Sequence, residues 1–345
     1  MDLAQFDYDL PPSAIAQEPV TPRDASRLLV LDRARGAWED RLFADLPDLL
    51  RPGDCLVVNE SRVIPARLFG TRADDGRPVE LLLVREIAAG RWEALARPAR
   101  RCRAGTRVAL GGGAAHAVIA GEGAAGARVV SFESPWPVRE LLERHGLPPL
   151  PPYIARHAAP QREDRERYQT VYARAEGSVA APTAGLHFTP ALLDRIRARG
   201  VEVHALTLHV GPGTFRPVKT ATVEAHRMEG ETVDIPADTA GAVSRARATG
   251  RRVVAVGTTT TRALEWAAGA DGTVAAGTGC ADLFIHPPYT FRAVDALLTN
   301  FHLPRSTLLM LVAALAGREL VLAAYQHAVK AGYRFYSYGD AMLVT

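Results

Sequence analysis

Thr189-Pro190-Ala191-Leu192-Leu193-Asp194 opens a helix that ends at Gly200, and Val201-Glu202-Val203-His204-Ala205-Leu206-Thr207-Leu208 follows at once as an alternating strand. Threonine supplies an N-cap oxygen to a free backbone N–H, and proline's fixed φ suits the first turn. The scheme recurs downstream. A helix running through Arg247 stops at Gly250, and Arg252-Val253-Val254-Ala255-Val256-Gly257 reads as the next strand. A third strand, Asp295-Ala296-Leu297-Leu298-Thr299-Asn300, leads through a loop to an apolar helix at Thr307. Alternating helix and strand imply an α/β fold, as a sheet or a barrel, with its functional loops at strand ends.

Upstream the texture differs. Residues 27–32 and 54–59 read as strands, and 10–13 as a turn before a short helix. Between residues 64 and 134, short β-like pieces (79–84, 91–96, 107–110, 117–119 and 127–132) are separated by turns such as Gly111-Gly112-Gly113 and Gly121-Glu122-Gly123. Closely spaced strands without intervening helices predict a small all-β barrel or sandwich. The exit, Pro148-Pro149-Leu150-Pro151-Pro152-Tyr153, is proline-rich. The domain expectation is therefore discontinuous: residues 1–63 and 150–345 form the α/β domain, and 64–149 an inserted all-β domain.

Composition narrows the class. The chain has 345 residues, 48% apolar and 23% charged, which argues against long disorder. Acids at Asp2 and Asp7 stand where a secretory leader would carry bases. The most apolar run, residues 308–316, is about half of what a bilayer needs. Cys55, Cys102 and Cys280 are odd in number and scattered, which disfavours a disulfide framework or a zinc site. These features predict a cytoplasmic protein with no membrane partner and no metal.

The formal charge is only +3, but from Arg62 to Arg107 eleven arginines face five acids. Arg97, Arg100 and Arg101 cluster there as candidate RNA contacts, since the planar guanidinium suits phosphate and base edges. Lysine is scarce throughout (Lys219 and Lys330 alone), so the arginines also read as a chain-wide preference.

Four polar segments lie at or beside the predicted element ends. They are Ala181-Pro182-Thr183-Ala184-Gly185-Leu186-His187-Phe188, His209-Val210-Gly211-Pro212-Gly213-Thr214-Phe215, Gly257-Thr258-Thr259-Thr260-Thr261-Arg262, and Asn300-Phe301-His302-Leu303-Pro304-Arg305-Ser306-Thr307. Hydroxyls, imidazoles and backbone N–H groups in such loops suit a ligand with ribose hydroxyls or anionic groups. Any one of them is also what a helix cap or a structural loop would show. Four in one chain point to a shared site. His187, His209 and His302 are the candidate acid–base groups, because an ordinary imidazole titrates near neutrality. Thr183, Gly185, Gly213, Thr258, Thr259, Thr260 and Asn300 are candidate substrate contacts, with Arg262 and Arg305 for a carboxylate or phosphate.

These strings carry a resemblance. Together with Phe6-Asp7-Tyr8-Asp9-Leu10-Pro11, Arg23-Asp24-Ala25-Ser26-Arg27-Leu28-Leu29, Asn59-Glu60-Ser61-Arg62-Val63-Ile64-Pro65-Ala66-Arg67, Tyr168-Gln169-Thr170-Val171-Tyr172 and the tail Tyr333-Arg334-Phe335-Tyr336-Ser337-Tyr338-Gly339-Asp340-Ala341-Met342, the chain resembles the S-adenosylmethionine:tRNA ribosyltransferase-isomerase family from end to end. The resemblance implies a barrel-like α/β catalytic domain interrupted by the all-β insertion. It implies transfer and isomerisation of the ribosyl part of S-adenosylmethionine onto the aminomethyl group of 7-aminomethyl-7-deazaguanine, at the wobble position of a tRNA. The product is epoxyqueuosine, with adenine and methionine released. S-adenosylmethionine is then a consumed co-substrate, without prosthetic group or metal. Separately, the protein is expected to be a monomer or weak homodimer. One departure stands out: the family pattern His-x-Met-His-x-Glu reads here His226-Arg227-Met228-Glu229-Gly230-Glu231. A methyltransferase using the same co-substrate, or a non-catalytic RNA-binding module, are the competing readings. The first lacks the usual glycine loop and acidic ribose clamp, and the second would not need histidine-bearing loops.

Overall fold

The computed structural model describes residues 1–155, 162–211, 218 and 220–345. Its first strands are β1 (Arg27–Asp32), β2 (Ala37–Leu42), β3 (Cys55–Asn59) and β4 (Ser61–Val63), with α1 (Leu46–Leu49) between β2 and β3. The next are β5 (Arg67–Arg72), β6 (Pro78–Ala88), β7 (Arg91–Arg97), β8 (Arg107–Leu110), β9 (Ala115–Glu122) and β10 (Arg128–Glu133). Then come α2 (Val138–His145), β11 (Gly146–Leu147), α3 (Arg162–Arg167), β12 (Ala175–Ser178), α4 (Pro190–Ala198), β13 (Glu202–Leu208) and β14 (Glu231–Ile235). The chain closes with α5 (Ala237–Ala248), β15 (Val253–Val256), α6 (Thr258–Ala267), β16 (Gly277–Ala281), β17 (Ala296–Asn300), α7 (Thr307–Ala316), α8 (Arg318–Lys330) and β18 (Ala341–Val344).

Nine strands form one mixed sheet in the order β16-β14-β13-β3-β15-β17-β18-β1-β2. Its centre is apolar because it is covered on both sides, so its strands read as continuous hydrophobic runs. Alternate residues divide between the faces. Leu56, Val58, Val254, Val256 and Leu298 pack with Leu192, Leu193 and Ile196 of α4. Cys55, Val57, Val253 and Ala255 meet Val243 and Ala246 of α5 and Leu264 of α6 on the other face. Further along that face, Leu29, Leu297 and Met342 pack on α7 and α8 through Met310, Val312 and Tyr325. The apolar run at 308–316 is thus a core helix, and no single described helix is long and apolar enough to cross a membrane.

The remaining barrel is all-β. Strands β5, β6, β7, β10, β9 and β8 pair in that order, and β8 returns to β5 through Gly70↔Leu110 and Thr71↔Ala109, closing six strands. Its interior has its own cluster, including Leu68, Leu81, Ala94, Val108, Ile119 and Val130. The α/β part differs from the barrel-like expectation. Its sheet ends at edge strands β16 and β2, and among the described residues these do not pair with each other. Closure requires consistent tilt and stagger around the ring, and among the described residues the small antiparallel sheet achieves it.

Candidate active site

Strands β13, β3, β15 and β17 run parallel to one another, so their carboxyl ends lie at one edge. Strand β18 runs antiparallel to β17 with Asn300 opposite Ala341, which brings the segment before β18 to that same edge. Strand β1 is parallel to β18, with Leu28 opposite Ala341, so Ser26 arrives there as well. In open α/β sheets this is where ligands bind. A cleft occupies the edge, bordered by Pro182, Thr183, Thr258, Thr259, Asn300 and His302, with Tyr336 and Ser337 from the tail.

Local chemistry fixes each wall. Gly257 caps α6 at φ 92, a left-handed conformation that glycine adopts at no steric cost. Thr260 and Thr261 turn their hydroxyls back onto the carbonyls of Val256 and Gly257, at 2.6 and 3.1 Å. Thr258 and Thr259 face the cleft at the positive end of the helix. Asn59, at the end of β3, donates to the Thr259 hydroxyl (3.3 Å) and to the Leu208 carbonyl (2.9 Å), tying three strand ends together. Gly185 is required by close approach, since a Cβ there would lie 2.1 Å from the Tyr172 hydroxyl.

Asn300 is the best-defined polar group. Its amide Nδ2 donates to the Tyr336 carbonyl and to His187 Nε2, each at 3.2 Å. A carbonyl can only accept, so the amide orientation is set, and His187 Nε2 must be the unprotonated nitrogen. His187 Nδ1–H then donates to the Ser26 hydroxyl at 2.7 Å. The ring stacks on Phe43 with centroids 4.9 Å apart. Asn300 Oδ1 is buried and has no hydrogen-bond partner among the described residues. Tyr336, beside it, holds φ 75 without being glycine, a strained conformation of the kind that clusters at functional sites.

The three histidines do not share one environment. Burial, with Arg334 and Arg23 nearby, pushes His187 down to about 3, and burial alone does the same to His302. Neither carries a second ring proton at neutral pH, so both imidazoles are uncharged. Both His187 nitrogens are engaged, and His302 Nε2 contacts the Thr299 hydroxyl at 2.9 Å. His209 is half-buried, burial lowers its pKa, and its Nδ1 has no partner among the described residues. It precedes Val210, which lines the cleft.

A depressed histidine pKa makes stability depend on pH with a definite sign. Above pH 6.5 both folded and unfolded states hold these imidazoles neutral, and the full stability is present. Below it the unfolded chain takes up protons that the folded chain refuses, so stability falls as the pH drops toward 3. The slope is about 1.4 kcal/mol per pH unit for each histidine, roughly 2 kcal/mol each between pH 6.5 and 5. Urea denaturation across that range should show the decline, and His302→Asn should flatten it by about one proton. A stability that is level from pH 6.5 to 5 would contradict the burial of these rings.

The two arginines of the sequence expectation lie outside the cleft walls. Arg262 is buried against Glu231, Nη1 to Oε2 at 2.5 Å, and also donates to the carbonyls of Leu283 and Ala281 at 3.2 Å. Glu231 Oε1 in turn accepts from the Gly211 N–H at 2.9 Å. Arg305 pairs with Asp7 at the surface. Gly213 lies outside the described residues. Arg97, Arg100 and Arg101 are exposed on the barrel, at the end of β7 and in the turn Ala99–Arg101. Sequence reading did not single out Asn59, Ser26, Tyr336 or Ser337, although each stands in a segment quoted for the resemblance.

An α/β scaffold with an uncharged polar cleft at the carboxyl ends of its parallel strands defines the site class of an enzyme for a small polar substrate. The family follows from comparison with known proteins. A model described as queuosine biosynthesis protein matches residues 3–344. An S-adenosylmethionine:tRNA ribosyltransferase-isomerase of an Anaeromyxobacter species is 57% identical over 348 residues, covering 100% of this chain and 99% of that one. The proteins of the same name from Moorella thermoacetica and Symbiobacterium thermophilum are 55% and 54% identical, with 100% of each chain covered. A crystal structure of an S-adenosylmethionine tRNA ribosyltransferase from Thermotoga maritima superposes with a TM-score of 0.56 at 40% identity, covering 99% of this chain and 100% of that one. The chain belongs to the queuosine biosynthesis family.

Proposed function

We infer that this chain is an S-adenosylmethionine:tRNA ribosyltransferase-isomerase acting in queuosine biosynthesis. The observation that carries the reading is the full-length match, at more than half identity, to relatives bearing that name. S-adenosylmethionine is a consumed co-substrate, and a tRNA whose wobble base carries 7-aminomethyl-7-deazaguanine is the acceptor. The aminomethyl nitrogen takes the ribosyl carbons, the sugar rearranges to the epoxycyclopentane, and adenine and methionine depart. A tRNA substrate puts this work in the cytoplasm.

The cleft supports assignments for several groups. Thr183, Thr258 and Thr259 offer hydroxyls to the ribose, and Asn300 Oδ1 accepts from a substrate N–H or O–H. The sulfonium acidifies the neighbouring C5′ position, so a positioned base can begin the rearrangement. Of the three histidines, His209 and His302 each keep a ring nitrogen unbonded among the described residues, and His302 is the one that lines the cleft. His187 and His302 act as neutral hydrogen-bonding groups that hold the cleft loops. We further assign residues 64–149 to an inserted domain, a division supported by the closed barrel and its separate core.

Following atoms tests the reaction. S-adenosylmethionine labelled in the ribose should leave its label in the modified tRNA, and methyl-labelled material should not. Methyl label in the RNA would replace this reading with a methyltransferase. A tRNA with unmodified guanine lacks the amine nucleophile and should take up neither.

Arg97, Arg100 and Arg101 are assigned to the tRNA backbone. They are exposed, and none makes an ion pair with another described residue. Replacing all three with Ala should flatten the log–log salt dependence of stem-loop binding by about 0.7–0.9 per lost phosphate contact. An unchanged slope would remove the cluster from the RNA footprint.

A further inference from the structure

Among the described residues the cleft walls carry no charged side chain, and S-adenosylmethionine brings a carboxylate that favours a cation. Arg262 and Arg305 are committed to Glu231 and Asp7. A second, small cavity lies against the same wall, and Ser337 borders both. Arg23 and Arg167 line it, together with His187, Tyr338 and Gly339.

The two guanidiniums are bound only to neutral oxygens. Arg23 donates to the main-chain carbonyls of Gln169 at 2.7 Å, Glu166 at 2.8 Å and Leu186 at 3.2 Å. Arg167 donates to the carbonyl of Val20 at 2.6 Å. Neither forms an ion pair with any described carboxylate. Those bonds account for where the side chains lie, but they do not neutralise the charge. Burial, and then Arg167, lower the Arg23 pKa below its ordinary value, as expected for like charges brought together away from water. Half-buried cations held side by side are costly until an anion joins them. The guanidinium fork matches a carboxylate in two parallel hydrogen bonds.

We propose that Arg23 and Arg167 form the subsite for the carboxylate of S-adenosylmethionine, across Ser337 from the cleft that receives its adenosyl part. The assignment rests on the function proposed above. It places the amino-acid end of the co-substrate against the segment 337–339 and leaves the sulfonium near Ser337, between the two cavities. Arginine is needed there because a lysine ammonium cannot keep the backbone carbonyls and grip both carboxylate oxygens.

Calorimetric binding of three probes tests it: S-adenosylmethionine, its decarboxylated analogue and adenosine. Wild-type protein should prefer S-adenosylmethionine over the decarboxylated analogue by about 10- to 100-fold, the worth of charge-assisted hydrogen bonds. Arg167→Gln should lose most of that preference while its adenosine affinity stays put. A wild type that binds both sulfonium compounds equally overturns the subsite without touching the proposed reaction, whatever the variant does. A variant that keeps the full preference also overturns it. If such a variant instead binds the anticodon stem-loop less well, the arginines serve a phosphate. Failure of the wild type to bind S-adenosylmethionine at all would remove the proposed function, and this subsite with it.

Discussion

Arg262→Ala is expected to cost about 3–5 kcal/mol of folding stability, the range found when one partner of a buried ion pair is removed. Both side chains are almost fully enclosed, at 3% and 5% exposure, so the variant takes a short charge-assisted contact away from the Glu231 carboxylate in a low-dielectric interior. The loss spreads through the backbone. Arg262 links α6 to the carbonyls of Ala281 and Leu283, at and just beyond the end of edge strand β16, and Glu231 begins β14 and holds the Gly211 N–H. Replacing both partners together, Arg262→Met with Glu231→Leu, should recover much of the stability, because it removes both buried charges and their desolvation cost. Urea denaturation of the three variants reads this directly. A loss below about 1 kcal/mol, coupled to a collapse of S-adenosylmethionine affinity, would restore the carboxylate-binding role that the sequence suggested for Arg262.

Burial and pairing of this kind depend on contacts distant in the chain, whereas element patterns are local. Strands β1, β3, β13, β15 and β17 were legible because each is an apolar run buried on both faces or an alternating run beside a capped helix. The barrel strands were legible from turn spacing, although β6 extends to Ala88, well past the apolar run at 79–84. Edge strand β16, Gly277–Ala281, offers glycines and mostly exposed side chains, so it leaves no periodic signal. Strand β18 is only four residues long, and its place between β17 and β1 depends on pairing across the whole chain. The site follows the same division. Loop chemistry pointed to Thr183, Thr258, Thr259 and Asn300, and all four line the cleft. The presence of Tyr336 and Ser337 there comes from the register of β18 against β17, and Tyr336's left-handed backbone has no mark in its residue type. Arg262 and the histidines were read by side-chain chemistry alone, which does not reveal burial or a partner.

Asn300→Ala should lower kcat/KM by about 10- to 100-fold, the worth of a buried hydrogen bond plus the substrate donor left unpaired. The amide is locked from one side, because its Nδ2 lies between two acceptors, the Tyr336 carbonyl and His187 Nε2. The unpaired Oδ1 is the atom with nothing yet to bind. Asn300→Asp separates this account from a general loss of packing. The carboxylate has nearly the same shape, but it sets a negative charge against His187 Nε2 and an acceptor against the Tyr336 carbonyl. His187 answers by holding a proton on Nε2, so its pKa should climb from about 3 toward the ordinary imidazole range. In this variant activity should improve as the pH is lowered through that raised pKa, whereas wild type should show no such gain. NMR of the His187 ring gives a second readout, with titration between pH 5 and 8 expected in the Asp variant and absent in wild type. His209→Ala, measured alongside, should lower the single-turnover rate by about 10²–10⁴ without bringing any titration to His187. An Asn300→Ala enzyme within threefold of wild type, or an Asp variant whose His187 stays silent, would show that the Ser26–His187–Asn300 chain does not position a substrate contact.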